Sequence, residues 1–301
     1  MSIISWNCRG LGNLSAVPKF KFLLRYYKPD IIFLCETLVH KNKIDELRYL
    51  LGFENCFAVD REGQGGGLAL LWRSSIQCNI TNFSSNHINV EITDTQRGMW
   101  RLTGFYGYPE GARRRDSWNF IRRLAQDSHL PWCIIGDFND ILSVNEKKGR
   151  NERPNWLIDG FRKAIIDAGL SDVHMEGYPF TWFKSLGTPR AVEEKLDRAL
   201  ANGSWFQMFP YAKVENLVAP ASDHYPILLD RDPAIRSCRP QRKFKFENAW
   251  CLESGLDDVV YHCWYNYSDK TIVPKLEACA DELSDWSRSH CHKRRYEIEE
   301  C

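Results

Sequence analysis

The sequence contains no apolar run long enough to span a membrane. Its first residues, "MSIISWNCRG", have neither a basic flank nor a long apolar core, so no secretory leader is expected. Charge of one sign is not in excess: 40 Lys and Arg stand against 39 Asp and Glu, for a formal net charge of +1. No global polyanion-binding surface is announced by that balance. The 11 cysteines are scattered and odd in number, no C-x-x-C occurs, and His290-Cys291-His292 lacks companion ligands. A disulfide scaffold and a zinc ribbon are therefore not indicated, and a reducing, intracellular setting is expected. There is no phosphate-binding G-x-x-x-x-G-K-[ST] loop, since "GQGGG" (63–67) precedes a strand rather than a helix, and there is no G-x-S-x-G elbow.

What is present is an ordinary globular composition, 44% hydrophobic and 13% aromatic. Its 301 residues suffice for one large domain or two small ones. Apolar runs read as strands at 2–7, 30–36, 65–72, 88–93, 100–107 and around "WCIIGDF" (132–138). Further strands are expected at 180–183, 194–200, 212–218 and 224–230. Helical spacing occupies 20–27, 117–125 and 156–168, the last stopping at Gly169. Many short strands with helices between them predict an α/β fold of two packed mixed sheets flanked by helices. Basic runs occur at 113–115, 147–150, 236–245 and 293–295, each of which taken alone is ordinary solvated surface. Residues 1–232 are expected to form the main domain and 233–248 a basic linker. A helical extension over 249–301 would carry an apolar stripe of Leu276, Cys279, Leu283 and Trp286.

The apolar runs share one habit: they finish on polar residues suited to chemistry. Asn7 ends "SWN", Glu36 ends "LCE", Tyr106 lies in "GFYG", and Asp137 with Asn139 closes "IGDFN". Asp197 in "KLDRAL" and Asp223-His224 in "SDHYP" add to the set. Each has an ordinary explanation: a turn cap for Asn7, a helix cap or lysine partner for Glu36, a core aromatic for Tyr106. Asp197 could pair with Arg198 or Lys195, and Ser222-Asp223 could form a turn. Jointly, strand after strand ending this way points to a cleft where strand ends converge. Oxygen donors without a Cys or His cluster suit a hard cation, with Mg²⁺ the natural choice and Mn²⁺ the alternative. One His beside an Asp, a Tyr hydroxyl and two carboxamides suit phosphoryl transfer with a water nucleophile.

"WNCRG", "LCET", "GFYG", "IGDFND", "KLDRAL" and "SDHYP", in this order, resemble the endonuclease/exonuclease/phosphatase superfamily over about residues 1 to 230. "GGLALLW", "DRALAN", "FTW" and "KFKFENAW" (243–250) are similar to the apurinic-type endonuclease domain of plant LINE-type non-LTR retrotransposon proteins. The resemblance implies a four-layer α/β/β/α sandwich. It implies Glu36 as principal Mg²⁺ ligand with Asn7 close by and Asp223 near the metal. Asp137 would orient and deprotonate the attacking water, with Asn139 holding Asp137. His224 would donate to the scissile phosphate, Asp197 would fix its tautomer, Tyr106 would contact the phosphate, and Trp182 would line the pocket. One departure is Pro109, where apurinic-type members often carry Asn three residues after the tyrosine.

The leading expectation is a Mg²⁺-dependent endonuclease that nicks double-stranded DNA and leaves a 3′-hydroxyl for reverse transcription. It would be nuclear if active, not membrane-bound, and monomeric as this fragment, whose helical extension would lead toward an absent reverse transcriptase. Two readings rank below it: a phosphomonoesterase of the inositol-phosphate type on the same fold, and a catalytically idle retroelement remnant.

Overall fold

The computed structural model describes residues 1–11, 16–62, 65–217, 222–233, 250, 255–267, 275–276 and 278–287. In chain order the elements begin with β1 (Ser2–Asn7), α1 (Ala16–Tyr27), β2 (Ile31–Cys35), α2 (Lys41–Leu51), β3 (Asn55–Glu62) and β4 (Gly65–Trp72). There follow β5 (Gln77–Ser84), β6 (His87–Asp94), β7 (Gly98–Tyr106), α3 (Arg114–Gln126), β8 (Trp132–Asp137) and β9 (Lys147–Lys148). Next come α4 (Asn155–Asp167), β10 (Leu170–Asp172), β11 (Met175–Glu176), β12 (Trp182–Lys184), β13 (Val192–Glu194) and β14 (Asp197–Asn202). The last are α5 (Gly203–Met208), β15 (Lys213–Asn216), β16 (Ile227–Asp230) and α6 (Leu256–Asn266). Among the described residues no helix is long and apolar enough to cross a membrane.

Two mixed sheets dominate, ordered β11-β15-β16-β1-β2-β4-β3 and β10-β14-β8-β7-β6-β5, with a small third sheet β12-β13-β9. Ile3, Phe33 and Leu70 on the first sheet meet Val90, Leu102 and Ile135 on the second in one buried core. The first sheet's outer face, with Trp6, Ile32 and Leu34, is covered by Phe20, Leu24, Ile44 and Leu47 of α1 and α2. The second sheet's outer face, with Phe105 and Ile134, is covered by Trp118, Ile121, Phe161 and Ile165 of α3 and α4. The α/β/β/α four-layer sandwich expected from the sequence is thus the observed architecture. Because helices cap both sheets, the central strands are buried on both faces and read as continuous apolar runs.

Seven elements, α2, β3, β5, β9, β10, β11 and α5, carried no expectation from the sequence. β5 alternates mostly exposed and half-buried residues, which a search for apolar runs passes over. The stretch 194–200, read as one strand, divides into β13 and β14 at Lys195-Leu196. The strand expected from His224 begins only at Ile227, with His224 held by an isolated bridge to Trp182. Two basic runs are partly occupied inside the fold: Arg114 pairs with buried Asp140, and Lys147 with Glu194. The runs 236–245 and 293–295, and His290-Cys291-His292, lie outside the described residues.

The chain divides into two compact units, Met1–Ile235 and Arg236–Cys301. In the second, α6 and the helical residues 278–287 are tied by Cys263 Sγ to Glu282 Oε2 (2.8 Å) and Tyr267 OH to Glu282 Oε1 (2.8 Å). Cys279 and Leu283 of the anticipated stripe are buried there, whereas Leu276 is exposed.

The two sheets approach so closely at Gly104 that a Cβ there would stand 2.2 Å from the Phe33 ring. Overpacking of this kind costs about 1–3 kcal/mol. Gly104→Ala is therefore expected to lower the urea midpoint clearly, while Gly111→Ala, with open space around its Cβ, shifts it little. Equal midpoints for the two variants would contradict this sheet-to-sheet contact.

Candidate active site

Register assembles the site. In the second sheet Tyr106 pairs with Asp137 across the parallel β7–β8 ladder, and Asp137 pairs with Asp197 across β8–β14. These three side chains therefore form one row at the sheet's end. In the first sheet Asn7 ends β1 opposite Cys35 of β2, so Glu36 follows at the same rim. Parallel neighbours bring both of their C-terminal ends to one side, which is why strands distant in sequence deliver their last residues together. At the start of β14, Leu196 N (2.9 Å) and Asp197 N (2.8 Å) both donate to Thr181 Oγ1.

Asn7 joins the two sheets. Its Nδ2 donates to Glu36 Oε1 (2.9 Å) and to Asp137 Oδ2 (3.0 Å). Tyr106 OH donates to the same Glu36 oxygen (2.8 Å). Asp137 is further held by Asn139, whose backbone N–H reaches Oδ1 (2.9 Å) and whose Nδ2 reaches Oδ2 (3.3 Å). Asn139 sits at φ +55°, a left-handed conformation that asparagine tolerates better than most residues. Its side chain also donates to Gly107 O (2.9 Å).

His224 arrives from the segment before β16. Ser222 Oγ donates to Asn7 O (2.9 Å) and accepts from His224 N (3.1 Å), while Trp6 Nε1 donates to His224 O (3.0 Å). The imidazole Nδ1 lies 2.9 Å from Asp197 Oδ2, and Nε2 lies 3.9 Å from Asp137 Oδ2. Assigning the Nδ1 proton to Asp197 directs Nε2 toward Asp137. Trp182 Nε1 donates to Asp223 Oδ2 (2.9 Å), and its ring lies 6.4 Å from the imidazole. All nine residues singled out from the sequence thus fall within one linked group.

One member was not singled out. Arg9 bridges the acidic residues of the outer rim, with Nη1 2.5 Å from Asp223 Oδ2 and Nε 3.4 Å from Glu36 Oε2. It stands inside the quoted "WNCRG", but nothing in that pattern tells which way its side chain runs.

Electrostatics separate the carboxylates. Burial raises the Asp137 carboxyl to about 6, with Asp197 adding to the rise and His224 and the Asn7 amide opposing it. Burial alone would lower His224, but the negative charges of Asp197 and Asp137 outweigh it and raise the imidazole to about 9. Burial also pushes the Tyr106 hydroxyl upward, reinforced by Glu36 and Asp137, so it stays a proton donor.

A divalent cation fits this donor set. Four carboxylates, Glu36, Asp137, Asp197 and Asp223, are linked to one imidazole and one guanidinium. With the imidazole protonated, that leaves an excess of two negative charges. The guanidinium already occupies the space between Glu36 and Asp223 as a stand-in cation. Asp137, Asp197 and His224 also cluster at ligand spacing. There, however, the imidazole Nδ1 is committed to Asp197 and the flanking carboxylates favour the protonated ring, which has no lone pair to offer a metal.

Folding raises the pKa of His224 above its ordinary value near 6.5. Its contribution to stability is therefore complete below about pH 6.5 and is lost as pH rises through about 9. In the metal-free protein the His224 ring signal is expected to titrate well above 6.5 by NMR, and Asp197→Asn to bring it down. A ring that titrates at or below 6.5 in the wild type would contradict the paired geometry.

Comparison with known proteins agrees with this architecture. The chain matches no curated protein, but many solved structures share its fold. The endonuclease domain of TRAS1, a telomere-specific non-LTR retrotransposon, is 14% identical with a TM-score of 0.57, covering 76% of this chain and 97% of that domain. The 3′-5′ exonuclease NExo from Neisseria meningitidis is 18% identical with a TM-score of 0.57, covering 76% and 99%. A mannosyl-6-phosphatase from Bacteroides thetaiotaomicron is 14% identical with a TM-score of 0.54, covering 76% and 98%. At such identities the likeness establishes the fold, and nucleases and a phosphatase share it. Residues 4–224 match the model of the Endonuclease/Exonuclease/phosphatase family, and the chain belongs to that family.

Proposed function

We propose that this chain is a Mg²⁺-dependent endonuclease that hydrolyses one strand of double-stranded DNA and leaves a 3′-hydroxyl. The observation that carries the reading is the Asp137–His224–Asp197 arrangement at the rim. There a buried carboxylate and an oriented imidazole face each other across 3.9 Å.

The reaction needs a base for the attacking water and a positive donor for the phosphate. Asp137, raised toward neutrality by burial, is suited to take the water proton. Asn139 and Asn7 fix both of its oxygens, so the carboxylate does not turn away from the attack direction. His224, kept protonated by Asp197, donates from Nε2 to a phosphate oxygen and offsets the charge that builds there. Tyr106 is positioned to place its hydroxyl against the phosphate beside Glu36. Trp182 offers an aromatic wall next to His224, suited to a sugar or base. Glu36 and Asp223, with Asn7 adjacent, would hold the cation, which when bound supplies neutralisation and polarisation of phosphate oxygens.

A DNA substrate is favoured by the retroelement-like motifs in the sequence and by fold neighbours that process DNA. The same motifs support an origin in a plant LINE-type element. Residues 1–232 would then be the catalytic domain, and the later residues a basic linker and a helical lead toward a polymerase. Nuclear residence follows from that reading.

Supercoiled plasmid incubated with protein and Mg²⁺ is expected to convert to the nicked circle. Asp137→Ala and His224→Ala should each slow the conversion by about 10²- to 10⁴-fold. The nicked product should be extended by a polymerase without prior phosphatase treatment. Nicking at the wild-type rate by Asp137→Ala would overturn the assignment. Release of inorganic phosphate from small phosphomonoesters with the plasmid left intact would move the protein to the phosphatase reading.

A further inference from the structure

β1 and β2 leave the first sheet side by side. Backbone bonds continue past their ends: Cys8 N to Cys35 O (3.1 Å), Gly10 N to Glu36 O (2.8 Å) and Leu11 N to Thr37 O (3.0 Å). Within this extension Arg9 and Glu36 both adopt left-handed backbone, at φ +44° and +49°. For residues without a glycine's freedom that conformation is uncommon, and it persists where surrounding bonds enforce it. Its result is a guanidinium set between Glu36 and Asp223, two carboxylates 187 positions apart in the chain.

Among the described residues, the other donors on these carboxylates are neutral. Glu36 Oε1 receives the Asn7 amide and the Tyr106 hydroxyl, and Asp223 Oδ2 receives the Trp182 indole. Arg9 therefore supplies the positive charge at this place. It does so from a side chain 53% exposed, against 17% for Glu36 and 24% for Asp223. Exposed ion pairs are weak, so the guanidinium is readily released. It is also permanently charged, so it vacates the carboxylates only by moving. A divalent cation and the guanidinium repel one another at such distances and cannot both hold these oxygens.

We propose that Arg9 is a displaceable counter-cation. It bridges Glu36 and Asp223 in the metal-free protein, gives them up to a divalent cation, and then offers its planar fork to a phosphate of bound nucleic acid. The inference rests on the metal-dependent reading above and adds a coupling to it: metal binding frees a phosphate-seeking group at the mouth of the site. The acidic pair is thereby half neutralised without metal, and phosphate affinity rises when metal is present.

Two measurements on the full chain test it. Mn²⁺ binding without DNA, followed by electron paramagnetic resonance, is expected to be about three- to tenfold tighter for Arg9→Gln than for wild type, because the competitor is gone. Arg9→Lys keeps the charge without the fork and should lie between them, and it serves as the probe should Arg9→Gln fail to give a cooperative melt. DNA affinity, read by fluorescence anisotropy, should be alike for wild type and Arg9→Gln without metal. With Ca²⁺ added, the wild type should gain about threefold or more over the variant. Mn²⁺ affinity unchanged or weakened in both variants would overturn the displacement. A DNA-binding deficit of equal size with and without Ca²⁺ would overturn the release. Absence of Mn²⁺ binding by every form, wild type included, would instead remove the metal-dependent reading beneath both.

Discussion

Four carboxylates at one rim of a sandwich repel one another, and two of them, Asp137 and Asp197, are almost wholly buried. An isolated buried carboxylate is very costly, so each must find a charge or donors. The pairing is systematic: Asp197 takes His224, Asp137 takes two carboxamides and a backbone N–H, Glu36 takes Asn7 and Tyr106, and Arg9 spans Glu36 and Asp223. Asn7 is the hinge of this scheme because its single amide nitrogen reaches a carboxylate on each sheet. The rim is thus held together by the same groups that are suited to chemistry, and the packed core beneath supplies the stability that tolerates them.

The polar ends of the strands were legible because the helical layers made the strands apolar. A run buried on both faces has no alternation to disguise its boundary, so "SIISWN" and "WCIIGD" stop visibly at Asn7 and Asp137. The edge region behaved oppositely. β5 and β3 lie at the outer edges of their sheets, where half-exposed residues blur the pattern. Arg9 was illegible for a different reason. Its importance comes from direction, set by a left-handed φ and by a carboxylate more than two hundred residues later. Spacing in sequence carries no information of that kind. The basic run at 113–115 shows the same limit, since Arg114 is directed inward to Asp140 while Arg113 stacks on Tyr108.

Sharing a fold with nucleases and a phosphatase does not fix which ester this protein cleaves. What distinguishes members of such a family is the surface around a common centre. Here the loop after Tyr106 carries Pro109, whose carbonyl accepts from Arg114 Nη2 (3.2 Å), while Gly107 O accepts from Asn139. That loop is fixed by the Arg114 guanidinium and the Asn139 amide. The asparagine common at this position in apurinic-type members is thus replaced by a residue with no side-chain donor, whereas Arg9, paired with Glu36 and Asp223, brings a guanidinium to the same group.

Behind Asn139 runs a chain of alternating charges: Arg114 to Asp140, Asp140 to Arg153, Arg153 to Glu194 and Glu194 to Lys147. Arg153 also donates to Asn139 O (3.1 Å), and Trp118 Nε1 to Asp140 Oδ2 (2.8 Å). Buried ion pairs of this type add little net stability compared with apolar packing. Their effect is directional: Asp140 and Glu194 each hold two cations, and Arg153, placed between them, also donates to the carbonyl of Asn139, whose φ is +55°. Asn139 in turn holds both oxygens of Asp137. The turn that orients the proposed base is accordingly held from α3, β13 and Arg153, just before α4, as well as from its own strand. A site built this way gains its geometry from residues that have no direct contact with Asp137.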